Sequence, residues 1–150
     1  MIVSCHVPEH QLEDGTRPLP GVSATLAQLT GRGLRLEVLT NSLYPADQIQ
    51  EQLTRLGIDE SFQAIVSSFG LGRIEPEACC YQAVLSSLGL AARQVGFVGH
   101  DAQALRGASA VGMWTIAFNY DRNAWADIYL ERFEQLLDVV PCPAGGMLAA

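Results

Sequence analysis

The sequence predicts a three-layer α/β/α sandwich built on a five-stranded parallel sheet. Three observations predict it. Short apolar or alternating runs recur five times along the chain. Each run is followed by a stretch with apolar residues at helical spacing, and strand–helix alternation of this kind gives parallel sheets covered on both faces. At 150 residues, with 49% hydrophobic and 17% charged residues, the chain holds one domain's core and lies far from the composition of disordered proteins.

The elements follow in order. Met1 to Val7 reads as a short strand that Pro8 stops. Residues 8–20 carry three prolines and a glycine and read as loop. Val22, Leu26 and Leu29 stripe a helix over Gly21–Thr30, ended by Gly31 and Gly33. Leu34–Thr40 alternates and then turns apolar, as a strand does on moving into a sheet. Pro45 suits the first turn of a helix striped by Ile49, Leu53 and Leu56, with Gly57 at its end. Phe62–Val66 is the third strand and Ser67–Ile74 a loop. Pro76 opens a helix striped by Tyr81, Val84, Leu85 and Leu88, closed by Gly89. Val95–Val98 is the fourth strand, Asp101 is placed to cap a helix through Ala110, and Met113–Phe118 is the fifth strand. Trp125, Ile128, Tyr129, Phe133, Leu136, Leu137 and Val140 predict a last helix stopped by Pro141. One domain over 1–140 and a flexible tail over 141–150 are expected.

Charge and composition exclude several classes. Nine basic residues against sixteen acidic ones give a net charge of −7, which argues against a nucleic-acid footprint. All nine are Arg. Without Lys there is no Schiff base and no phosphate-loop lysine. No apolar run reaches the roughly 20 residues of a membrane span, and the first residues lack a signal peptide's basic flank and long apolar stretch. A soluble cytoplasmic protein is expected. Cys5, Cys79, Cys80 and Cys142 form no Cys-x-x-Cys pair and read as reduced thiols. Adjacent cysteines on a helix point about 100° apart, so Cys79 and Cys80 cannot readily serve one site, and one is expected to face the core.

In parallel sheets ligands bind beyond the carboxyl ends of the strands. The residues there are Cys5/His6, Thr40/Asn41/Ser42, Ser67/Ser68, His100/Asp101 and Asn119/Asp121. Several carry a pattern. Leu36–Ser42 (Leu-Glu-Val-Leu-Thr-Asn-Ser), preceded by Pro-Gly-Val at 20–22, resembles the second motif of the haloacid dehalogenase-like superfamily. Phe97–Asp101, followed by Gly107–Met113, is similar to its fourth motif. Glu75-Pro76-Glu77 through Tyr81, with Leu88-Gly89-Leu90, resembles its third. The resemblance covers about residues 18–118 and implies the Rossmann-like haloacid dehalogenase fold, here without a cap domain.

It further implies a set of roles. An Asp on the first strand attacks a phosphoryl group, and a second Asp two residues later acts as general acid. A motif-two Thr and a motif-three Lys hold the phosphoryl oxygens, and motif-four acids hold Mg²⁺. A cation and a hard metal ion offset repulsion between carboxylate and phosphate. Here the first Asp position falls on His6 (Cys5 in a register one residue back), the second on Pro8 (or Val7), the Lys on Glu75, and the motif-four acids on His100 and Ala104, with Asp101 beside the first. Asp14-Gly15-Thr16 offers another register for the first motif, but it would place the nucleophile at Leu12, after residues that do not form a buried strand. Thr40 and Asn41 match.

Two classes of function follow. The first expectation is a degenerate member that has lost phosphohydrolase activity and acts as a binding or interaction module for a small anion or a protein. The other is a phosphatase-like hydrolase with a displaced residue set: Thr40 and Asp101, with His6 or His100 as acid/base. Thr40 and Asn41 are the candidate anion ligands, although Thr40 placed only to satisfy strand-end backbone is the alternative. No cofactor is expected in the first reading. In the second, His6, Glu75, His100 and Asp101 are candidates for Mg²⁺ or a transition metal such as Zn²⁺. If Trp125 or Tyr129 faces outward, a homodimer contact is expected.

Overall fold

The computed structural model describes residues 2–4 and 17–140. The elements are β1 (Ile2–Ser4), α1 (Val22–Gly31), β2 (Glu37–Thr40), α2 (Ala46–Arg55), β3 (Ala64–Ser67), α3 (Ser68–Leu71), α4 (Ala78–Leu88), β4 (Gly96–Gly99), α5 (Ala102–Ala110), β5 (Trp114–Phe118), β6 (Ile128–Leu130) and α6 (Leu136–Val139). The sheet has six strands, in the order β3-β2-β1-β4-β5-β6, and every neighbouring pair is parallel. The three-residue β1 joins a two-stranded half (β2, β3) to a three-stranded half (β4, β5, β6). The order reverses between β1 and β4, and a crevice opens at such a switch point.

Side chains alternate strictly across the strands. Val38, Val98 and Ile116 face one core, with Leu26 and Leu29 of α1, Ile49 and Leu53 of α2 and Leu136 of α6. Leu39, Phe97 and Ala117 face the other, with Tyr81, Val84 and Leu88 of α4 and Leu105 and Ala108 of α5. The helices therefore cover both faces, and the period of two in the strands sets which residue meets which layer. Tyr81 and Phe97 meet edge to face at 5.6 Å. At Gly107 the helices α4 and α5 approach so closely that a Cβ would lie 2.6 Å from the Tyr81 hydroxyl and 2.8 Å from Pro76.

The last segment departs from expectation. The stretch 125–140 is not one helix. It holds β6, a 3-10 turn over Phe133–Gln135, and the single turn α6. The sheet therefore has six strands rather than five. The physical reason is a clasp between Thr115 and Asp127. Asp127 Oδ2 accepts from Thr115 N at 2.7 Å and from Thr115 Oγ1 at 3.0 Å, and Asp127 N donates to Thr115 Oγ1 at 3.1 Å. It brings Ile128–Leu130 alongside the open edge of β5. The expected loop after β3 also contains α3, whose start Ser67 caps by accepting from Phe69 N at 3.2 Å. Trp125 and Tyr129 are 63% and 45% exposed, whereas Phe133 and Leu136 are buried. Among the described residues no helix is long and apolar enough to cross a membrane. The expected tail, 141–150, lies outside the described residues.

Candidate functional site

The carboxyl ends of β2, β3 and β4 share one edge of the sheet, because the pairings are parallel and Thr40 is in register with Ser67. Thr40 closes β2 and is buried, and its Oγ1 has no hydrogen-bond partner among the described residues. Among the described residues it satisfies no strand-end backbone. A buried hydroxyl left unpaired costs free energy, on the order of 1–3 kcal/mol, and such an atom points to an absent partner.

Asn41 ties this strand end to a segment 34 residues away. Its Oδ1 accepts from Glu75 N at 2.8 Å, and its Nδ2 reaches the Glu75 carbonyl at 3.5 Å. The neighbouring loop is laced in the same way. Ser42 N donates to Ser68 Oγ at 2.8 Å, Ser68 Oγ donates to the Ser42 carbonyl at 3.0 Å, and Ser67 Oγ donates to the Tyr44 carbonyl at 2.9 Å. The loops after β2 and β3 thus form one hydrogen-bonded unit that fixes where Glu75 sits.

Glu75 is buried, and its Oε1 is unpartnered among the described residues. Burial, and secondly the negative charge of Asp101, push its carboxyl up to about 7. Asp101 is the N-cap of α5: its Oδ1 accepts from Gln103 N at 2.9 Å and Ala104 N at 2.7 Å. Two carboxyl groups from different loops therefore confront one another at the strand ends, one of them poised to hold a proton near neutrality.

The other predicted positions divide. His100 follows β4 and is half-buried, and its carbonyl accepts from Asp121 N at 3.1 Å. Ala104 belongs to the core under α5, where its carbonyl accepts from the Tyr81 hydroxyl at 2.8 Å, so that position supplies packing and no ligand. His6, Pro8, Cys5 and Asp14-Gly15-Thr16 lie outside the described residues. Cys80 is buried and Cys79 exposed. Burial first, then the neighbouring Cys79, Glu75 and Glu77, pushes the Cys80 thiol up to about 12, so it is no thiolate at neutral pH. Among the described residues no group of three or more His, Cys, Asp or Glu is arranged to hold a metal ion. The metal set expected from the sequence included His6, which lies outside the described residues. The Asn41–Glu75 link was missed in the sequence, where only the strand-end position of Asn41 hinted at it.

The profile of the family described as "Haloacid dehalogenase-like hydrolase" matches residues 4–118. A phosphoglycolate phosphatase from Yersinia pestis is 31% identical over 140 residues, covering 89% of this chain and 60% of that protein. A glyceraldehyde 3-phosphate phosphatase from Methanocaldococcus jannaschii is 29% identical over 133 residues, covering 83% and 57%. Among solved structures, a predicted phosphoglycolate phosphatase from Haemophilus somnus superposes with a TM-score of 0.73 at 26% identity, over 80% of this chain and 56% of that one. The chain thus spans about three fifths of the length of these curated relatives. They overturn the expectation of a degenerate module without phosphohydrolase chemistry, because the relatives at this similarity are named as phosphatases. Glu75 and Asp101, both candidates from the sequence, place carboxyl groups at the same edge of the sheet.

Proposed function

The chain belongs to the haloacid dehalogenase-like hydrolase family, and on that footing we propose that it hydrolyses phosphate monoesters with a displaced set of residues at the carboxyl edge of its sheet. The observation that carries this reading is a pair of buried polar atoms at that edge, Thr40 Oγ1 and Glu75 Oε1, that have no partner among the described residues. Thr40 donates to a phosphoryl oxygen. Glu75 takes a proton from the attacking water and returns one to the departing alkoxide, a task suited to a group that titrates near the working pH. Asp101 favours the proton-bearing form of Glu75, which limits the negative charge facing the phosphate. Asn41 holds the Glu75 backbone in place. His100 is the second acid–base group at the same edge. These roles belong to the described side chains.

The site is open in this reading. Residues 5–21 separate β1 from α1 and residues 41–45 separate β2 from α2, too few for a covering domain, which needs about 50 residues. An open edge admits phosphate esters with bulky alcohol parts. The free thiols of Cys79 and Cys80 suit a reducing compartment such as the cytoplasm.

The test is release of inorganic phosphate from p-nitrophenyl phosphate, phosphoglycolate, glyceraldehyde 3-phosphate and a bulky phosphate ester, with chelator and with Mg²⁺, Mn²⁺, Co²⁺ or Zn²⁺ in turn. Turnover that falls in Thr40→Val and Glu75→Gln is the expected result. No release under any condition, or release undiminished in both variants, sinks the reading.

A further inference from the structure

A concavity at the carboxyl edge of the sheet has neither Thr40 nor Glu75 in its lining. A cavity of about 550 Å³ opens at the carboxyl ends of β5 and β6, beneath the turn that leads into α1. Its volume is that of a small-molecule pocket. Leu19, Phe118 and Leu130 give it an apolar lining. Arg132, Glu131 and Glu134 supply its charge. Arg132 has no carboxylate within ion-pair distance among the described residues. Asn119, also on the wall, holds φ at +49°, and it is the one non-glycine with positive φ among the described residues. Asn tolerates that conformation better than most residues, and such backbone clusters at ligand sites.

The charge pattern selects the ligand. A simple anion would pair with Arg132 but face two carboxylates. A simple cation would suit the carboxylates and leave the guanidinium unmatched. A molecule with both charges satisfies both, and the apolar lining asks for a hydrocarbon body. We infer that this cavity binds a small zwitterion with an apolar side chain, of the chemical class of leucine or phenylalanine. Its carboxylate lies on Arg132, its ammonium group is turned to Glu131 and Glu134, and its side chain rests on Leu19, Phe118 and Leu130. The inference needs no turnover at Thr40 and Glu75, so the two readings stand or fall separately.

The experiment is calorimetric titration of the full chain with L-leucine and L-phenylalanine, then with their N-acetyl and C-amide forms. Both free amino acids are expected to bind, and either blocked form to bind about tenfold more weakly or worse, the loss of one charge-assisted contact. Arg132→Ala and Glu131→Gln, both at exposed positions, are expected to weaken binding to a similar degree. Absence of binding by either free amino acid overturns the proposal. Equal binding of the N-acetyl form also overturns it, in favour of a plain anion site, and equal binding of the amide overturns it in favour of a cation site.

Discussion

The carboxylate of Glu134 lies against Gly21, close enough that a side-chain carbon added to Gly21 would collide with it. Gly21 is the N-cap of α1, sits at φ +79°, and provides no side-chain cap; the first turn of α1 has no acidic residue of its own. Glu134 brings negative charge to that helix end from a segment more than a hundred residues later, where it opposes the positive pole of the helix.

This relationship makes a prediction. Gly21→Ala is expected to destabilise the fold by about 1–3 kcal/mol, from left-handed backbone strain and displacement of Glu134. Glu134→Ala alone is expected to cost less, about 0.3–1 kcal/mol. In the double variant the collision is gone and the strain remains, so its loss is smaller than the two single losses added together. Urea melts of the four proteins form the cycle that checks it.

Glu75 makes stability depend on pH. Its carboxyl is raised from 4.5 to about 7 in the folded chain. A raised acid stabilises the fold fully below its unfolded value and loses that contribution as pH climbs through about 7. Glu75→Gln is therefore expected to match the parent near pH 4 and to exceed it above pH 8 by about 1–3 kcal/mol. Thermal melts across that range, with the parent alone losing stability on the alkaline side, are the measurement.

Asp101 has two tasks that substitutions separate. Asn is as good an N-cap as Asp, so Asp101→Asn keeps α5 capped while removing the charge that faces Glu75. The Glu75 titration is expected to move part of the way back toward the ordinary carboxyl range and no further, because burial is the larger cause. Asp101→Ala is expected to shift it similarly and to cost about 1 kcal/mol more for the lost cap. Carbon-detected NMR titration of Glu75 in both variants tells the two effects apart.

Thr40 and Asn41 are neighbours with different expected failures. Thr40→Val removes an unpartnered hydroxyl at constant shape, so stability is expected to hold or rise slightly while phosphate release falls at least about tenfold. Asn41→Ala severs the bond from Glu75 N, leaving a donor unpaired, and is expected to cost about 1–3 kcal/mol together with activity. Parallel activity and melting measurements check whether the two losses separate at Thr40 and travel together at Asn41.

The legible parts of this chain are those with local causes. Val38-Leu39 and Phe97-Val98 are readable as apolar strand runs, and the pleat sends the two members of each pair to opposite cores. Asp101 before an apolar run announces a helix start. Cys79 and Cys80 divide between solvent and core as helical geometry requires. The segment after Asp121 was not legible, because its apolar residues repeat at helical spacing while the vacant edge of β5 and the Thr115–Asp127 clasp decide the outcome. The cavity at the carboxyl ends of β5 and β6 was hidden with it. Within the site, Thr40 and Asn41 could be read from their motif, whereas the hold of Asn41 on Glu75 and the confrontation of Glu75 with Asp101 exist only after folding.

The seam at β1 has a consequence for how the chain must be made. That strand, made before the others described, ends up with β2 on one flank and β4 on the other. During synthesis its second flank stays bare until residues 96–99 have left the ribosome. For that interval a growing β1-β2-β3 half exposes an unpaired ribbon to every other nascent chain nearby, an invitation to mispairing. Whatever slows elongation between β3 and β4 lengthens that exposure, and chaperone demand should track it.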